Sequence, residues 1–83
     1  MNPHFASLVL GLTAQANAAL DGQLPPGAEK AGAPDARQFA QALIDTLGAL
    51  QEKTRGNLDH DETQLIEQAL TALRIRFATG TKH

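Results

Sequence analysis

The sequence predicts an all-α protein of three helices, and three observations support this. Apolar residues recur at helical spacing in three separate segments of the 83-residue chain. Fifteen of the 35 apolar residues are alanines, which form helices readily and let helix backbones approach closely. A proline- and glycine-rich stretch and one short turn separate the three segments. A chain of this length forms one domain, so we treat residues 1–83 as a single helical unit.

Helix 1 is predicted at about residues 3–21. Asn2 followed by Pro3 is typical of a helix start, and Asp21-Gly22 supplies a stop. The predicted buried stripe comprises Phe5, Leu8, Val9, Leu12, Ala16, Ala19 and Leu20. Leu10 does not fit this stripe and projects to the opposite side of the helix.

The segment 22–34 contains three of the four prolines and is predicted to be a loop. Its length leaves two arrangements open for helix 1. The helix packs across the rest of its own chain, or it packs against a neighbouring subunit.

Helix 2 is predicted at about residues 35–55, and Gly56 is expected directly after it in a left-handed conformation. Helix 3 is predicted at about residues 60–78. The pattern Asp59-x-x-Glu62 indicates a capping box at its start. Because the connecting turn is short, we expect helices 2 and 3 to form an antiparallel hairpin.

Two large aliphatic residues, Leu10 and Ile75, lie outside the predicted stripes, and Arg76 lies at the edge of one. We expect Arg76 either to extend its charged end to solvent or to meet a carboxylate of another helix. Small domains often gain stability by association. We therefore predict a homo-oligomer and an interaction surface that includes Leu10, Ile75 and Arg76. The same surface could instead bind an unidentified protein partner.

Four basic residues support an alternative function, which is nucleic-acid binding on an oligomer. Lys53 and Arg55 end helix 2, whereas Arg74 and Arg76 lie in the last third of helix 3. The predicted hairpin separates these two groups, and no aromatic residue lies among them for base stacking. The simpler interpretation is that Lys53 and Arg55 complement the helix 2 dipole and that Arg74 pairs with Glu67 or Asp45.

The composition excludes several kinds of chemistry. Without cysteine there is no disulfide and no thiolate metal site. The cluster Asp59, His60, Asp61 and Glu62 contains metal-ligand types, but adjacent helical residues diverge and the Asp59–Glu62 pair is explained by capping. We predict no catalytic residue, no metal and no cofactor. An enzyme site shared between subunits, with Asp45 or Glu52 converging across a symmetry axis, stays an alternative.

The segment Phe5–Leu20 carries no charged residue over sixteen positions, which raises the question of a membrane segment. It contains Ser7, Thr13, Gln15 and Asn17, and a spanning helix needs about 20 predominantly apolar residues. No positive region precedes it, as a secretory signal would require. We expect a cytoplasmic protein that does not insert into a membrane.

Three segments resemble one known family. Phe5–Leu12, Ile44–Leu58 and Leu73–Phe77 are similar to the small bacterial family catalogued as domain of unknown function 1844, and Asp45–Leu58 is the most distinctive of them. Ala49 stands where a larger residue is usual, and Phe77 where tyrosine is common. The resemblance implies a short, helical, cytoplasmic bacterial protein. It supplies no enzyme activity, cofactor or catalytic residue.

Overall fold

The computed structural model describes residues 1–23 and 35–79 of the chain. Within these ranges the chain forms three helices and no strand: α1 at Pro3–Leu20, α2 at Ala36–Lys53 and α3 at His60–Ala78. Each helix packs against the other two, which confirms the predicted all-α architecture of three helices. The antiparallel direction of α2 and α3 stays a prediction. Most of the predicted loop, residues 24–34, lies outside the described residues, as does the tail 80–83.

Each helix begins at a side chain that accepts backbone N–H groups of the first turn. Asn2 accepts from His4 at 2.8 Å and Phe5 at 3.1 Å, which explains the start of α1. Asp35 accepts from Gln38 at 2.7 Å at the start of α2. Such caps stabilise a helix by about 1 kcal/mol each. The starts of α1 and α2 are therefore determined by residues close to them in the sequence.

At the start of α3 the predicted capping box is present. Asp59 Oδ1 accepts the Glu62 N–H at 2.8 Å, and Glu62 Oε1 accepts the Asp59 N–H at 2.9 Å. The reciprocal pair satisfies two backbone donors that the helix itself leaves without partners.

The ends of α1 and α2 differ. Gly22, with φ of 91°, directly follows the C-cap Asp21 of α1, as expected. α2 ends at Lys53 with Thr54 as its C-cap, two residues earlier than predicted. Gly56 has the expected positive φ of 85° but lies within the α2–α3 turn and not directly after the helix. At this end of α2 the Thr54 hydroxyl donates to the Leu50 carbonyl at 2.7 Å.

The hydrophobic core lies between the three helices and receives unequal contributions from them. α1 contributes mostly small residues, whereas α2 and α3 contribute mostly leucine and isoleucine. The buried core residues are Val9, Ala16 and Ala19 of α1, Ala40, Leu43, Ile44 and Leu47 of α2, and Ile66, Leu70 and Leu73 of α3. The prediction that Leu8 is buried was wrong, because its side chain stays 48% exposed. Leu8 lies at the edge of the stripe, where packing does not cover it.

α1 and α3 lie side by side with their amino ends together and their carboxyl ends together. At the amino ends, the Asn2 N–H donates to Glu62 Oε2 at 2.7 Å. At the carboxyl ends, Arg76 Nη1 donates to Asn17 Oδ1 at 2.7 Å, and Arg76 Nη2 donates to Asp21. Of the two predicted arrangements, the structure therefore has α1 packed on its own chain. The first turn of α2 lies near the end of α3, where Arg37 donates to the Phe77 carbonyl at 3.2 Å.

Candidate interaction surface

The side of α1 that points away from the core carries no charged residue. We call this the outer face of α1, and it comprises His4, Ser7, Leu8, Leu10, Gly11, Ala14, Gln15 and Ala18. All but Ala18 are exposed, and Ala18 is half-buried. Five of these eight residues are apolar or glycine, so water contacts a helical surface of largely apolar character. Surfaces of this kind commonly mark contacts with another molecule.

Two leucines bound this outer face on opposite flanks. Leu10 is 56% exposed and Leu8 is 48% exposed, and they point about 200° apart around the helix axis. Residues seven apart share one side of a helix, so Leu10 lies on the same flank as Asn17, which contacts α3. Leu10 therefore borders the surface formed jointly by α1 and α3, as its place outside the predicted stripe suggested.

Ile75 is the most exposed large hydrophobic residue described, at 60%. It lines an open depression on the outer side of α3 together with Glu67, Gln68, Thr71 and Ala72. Of these five residues only Glu67 is charged. Both aliphatic residues that did not fit the predicted stripes are thus exposed to solvent.

Arg76, by contrast, is engaged within the chain. Besides the side chain of Asn17, its Nη1 donates to the Asn17 carbonyl at 3.3 Å, and its second nitrogen pairs with Asp21. The expectation that Arg76 meets a carboxylate of another helix is confirmed. Its guanidinium holds the end of α1 against α3, which leaves little of it to face a partner.

The other three basic candidates are dispersed. Arg55 pairs with Glu52 at 2.7 Å in the turn after α2, and Lys53 is the last residue of α2. Arg74 lies against α2, because a Cβ atom added to Gly48 would be 3.3 Å from its Nη2. The interpretation that Arg74 pairs with Glu67 or Asp45 was wrong, since among the described ion pairs it has neither partner.

These positions give no single basic surface. Arg37 is also engaged, with its guanidinium 3.8 Å from the centre of the Phe77 ring. Arg37, Arg55 and Arg76 therefore each have partners within the chain. Nucleic-acid binding stays a prediction that no contact among the described residues favours.

Sequence reasoning missed the second contact of Glu62. This carboxylate is only 7% exposed and is the one buried charged residue among those described. One oxygen closes the capping box of α3 and the other accepts the Asn2 N–H, so a single side chain joins the starts of two helices. The buried position on the α3 stripe was the available signal, because a buried carboxylate needs donors on both oxygens.

The neighbouring Asp59 carboxylate also lies between α1 and α3. It accepts the Glu62 N–H and lies 3.1 Å from the amino group of Met1. These interactions, the backbone hydrogen bond first, hold the pKa of Asp59 below its usual value. The hydrogen bond to Asp59 in turn raises the pKa of the Met1 amino group.

The described residues offer little for metal binding or membrane insertion. Within residues 1–23 and 35–79, no three His, Asp or Glu side chains converge as a metal site would require. None of the helices in these ranges has the length and apolar character needed to cross a bilayer.

A groove of about 390 Å³ lies beside the α2–α3 turn, lined by Gln51, Arg55, Gly56, Leu58, Thr63, Ile66 and Glu67.

Comparison with known proteins gives one match. The family model described as "Domain of unknown function (DUF1844)" matches residues 2–79, which is nearly the whole chain. No curated protein and no solved structure matches the chain.

Proposed function

The chain belongs to the family described as Domain of unknown function (DUF1844), and from this premise we propose that it is a non-enzymatic helical module that associates with copies of itself through α1. Its setting is the bacterial cytoplasm. Its role is that of an interaction or scaffolding module, which binds other protein molecules and does not carry out a reaction. Leu10 and Ile75 are the side chains that this role uses, whereas Arg76 maintains the position of α1.

The observation that carries the proposal is the outer face of α1. No residue of Phe5–Leu20 is charged, and two leucines of this helix, Leu8 and Leu10, are about half exposed. Full burial of an exposed leucine gains about 1.5–3 kcal/mol, so covering the exposed half of one such leucine would gain roughly half of this. Association through this face would therefore be favourable without any change in the fold.

The modest core supports the same conclusion. Its large buried members are seven aliphatic side chains: Val9, Leu43, Ile44, Leu47, Ile66, Leu70 and Leu73. Domains slightly smaller than this one, below about 70–80 residues, seldom gain more than about 3–5 kcal/mol from their core alone. Covering the outer face of α1 would add stability that the core does not supply.

The experiment is a measurement of mass in solution over a range of concentrations, by light scattering and sedimentation. We expect a mass that is a multiple of 8.8 kDa at micromolar concentration. Leu10→Asp should give the monomer, because it places a charge in a surface that association buries.

The matched control is Ala42→Asp, which adds the same charge at an exposed position of α2. It should keep the mass of the unsubstituted protein, and circular dichroism should show the same helix content in all three proteins. A strictly monomeric unsubstituted protein would contradict the proposal. So would an oligomer that Leu10→Asp leaves intact.

A further inference from the structure

Gly11 lies in the middle of α1, on its outer face, and nothing in the described part of the chain explains why glycine is there. Its φ is not positive, so no left-handed turn requires it. A Cβ atom added at this position would meet nothing within 4 Å. Glycine inside a helix is less favourable than alanine, because it loses more backbone freedom on folding. No contact among the described residues requires a glycine at position 11 and so offsets its low helix propensity.

Gly48 of α2 shows what such a compensation looks like. A Cβ atom added there would lie 3.3 Å from Arg74 Nη2, so the missing side chain makes room for a residue of the neighbouring helix. Both glycines lie within 18-residue helices. Among the described residues, a neighbour that needs the space left by the glycine is found for Gly48 and not for Gly11.

The surroundings of Gly11 form a shallow surface with raised sides. Ser7, Ala14 and Ala18 lie on the same side of the helix, since they are three, four or seven residues from Gly11. Leu8 and Leu10 stand on the two flanks. A second helix could approach the α1 backbone closely along this line and contact a leucine on each side.

We propose that a second copy of this chain occupies this face, with the two α1 helices crossing at Gly11 about a twofold axis. The proposal rests on the self-association proposed above and specifies its geometry. In a twofold contact the same patch is used on both subunits, and residues at the axis meet their own copies. Gly11 lies near the midpoint of Pro3–Leu20, so a crossing there lets each half of α1 contact the partner.

Charge favours a second copy as the occupant. A surface that meets itself across a twofold axis brings like charges together, and the outer face of α1 has none to repel. The exposed side of α2 does carry charges, among them Arg37, Asp45, Glu52 and Lys53. The exposed side of α2 is thus suited to contact with water, whereas the outer face of α1 is suited to contact with an equally uncharged helix.

The area that a dimer needs is a modest share of the molecular surface. A stable interface typically buries about 800 Å² on each partner. This is roughly 15% of the accessible surface of 5174 Å². A stable dimer would therefore cover the outer face of α1 together with part of the adjoining surface toward Leu10 and α3.

The first test is Gly11→Leu, measured by sedimentation over a dilution series. The substitution should leave the monomer folded, because a Cβ atom at this position meets nothing. It should raise the dimer dissociation constant at least about tenfold, since a bulky side chain keeps the helices apart. Ala49→Leu, at an exposed position of α2, is the control and should leave the constant unchanged.

The second test uses the absence of cysteine from the sequence, which makes any introduced thiol unique. A disulfide forms only where two Cα atoms lie about 4.4–6.8 Å apart. Under mild oxidation, Gly11→Cys should give a covalent dimer rapidly and in high yield. Ala49→Cys should give only the slow background of random collisions.

The outcomes separate the two proposals. If the unsubstituted protein is monomeric, self-association itself is overturned, and the crossing with it. If Leu10→Asp dissociates the oligomer but Gly11→Leu does not, and Gly11→Cys is no faster than its control, self-association stands and the crossing at Gly11 is overturned. Loss of the dimer in Gly11→Leu together with rapid cross-linking of Gly11→Cys supports the crossing.

Discussion

α1 and α2 are helices of the same length, but they divide their residues differently between core and solvent. α2 buries Leu43, Ile44 and Leu47 and turns charged residues outward. α1 buries one valine and two alanines, and its outer face is uncharged. α1 also packs Phe5, Leu12 and Leu20, which are partly buried, against the core. The difference teaches that a helix can be held in a fold with few fully buried large side chains. Polar contacts with α3 hold the two ends of α1 in addition. The outer face of α1 remains exposed to solvent.

The largest expected effect tests the inner sides of the two helices. Leu47 is fully buried, so Leu47→Ala should lower the free energy of unfolding by about 2–5 kcal/mol. Val9 is equally buried but smaller, and Val9→Ala should cost about 1–2 kcal/mol. Urea denaturation measures both. Equal losses at the two positions would contradict the smaller contribution of Val9 to the core.

The next effect tests the ends of α1. Glu62→Ala removes the acceptor of the Asn2 N–H as well as half of the capping box, and should cost about 1–3 kcal/mol. The exposed Glu67 of the same helix provides the control, because Glu67→Ala should change stability by less than about 0.5 kcal/mol. Hydrogen exchange should show faster opening of α1 than of α2 in Glu62→Ala. Uniform opening of both helices would argue against a specific role at the start of α1.

The smallest effect compares the two helical glycines. Gly11→Ala should stabilise the monomer by up to about 1 kcal/mol, because alanine is the better helix former and no atom obstructs its methyl group. Gly48→Ala should gain less, since Arg74 must move to admit the methyl group. Thermal unfolding below the association concentration measures both changes. A greater gain at Gly48 than at Gly11 would contradict the contrast between the two sites.

The local features of this fold were predictable from the sequence because they depend on neighbours along the chain. The caps at Asn2 and Asp59 and the left-handed glycines require only a few adjacent residues. The exposure of Leu10 and Ile75 followed from helical periodicity, since each lies far from its apolar stripe. Leu8 was misplaced because it lies at a stripe edge, where burial depends on how closely a neighbouring helix approaches.

The partners of Arg76, Glu62 and Arg74 could not be predicted in the same way. Each contact joins residues of different helices, and the direction in which α1 lies across the others decides which side chains meet. That direction is not set by any periodicity within α1. The unusual position of Gly11 was visible in the sequence, but only the structure shows that none of the residues it describes, 1–23 and 35–79, explains the glycine.

The pairing of α1 with α3 also fixes an order of events during synthesis. The polar contacts at the two ends of α1 join Asn2 to Glu62 and Asn17 to Arg76, about sixty residues further along the chain. At roughly 5–20 residues per second, a ribosome needs several seconds to make that length. Throughout this interval α1 is complete while the side chains that secure its ends do not yet exist. Until α3 is made, α1 can therefore pack only on α2 within this domain, and its two ends lack the polar partners that later secure them.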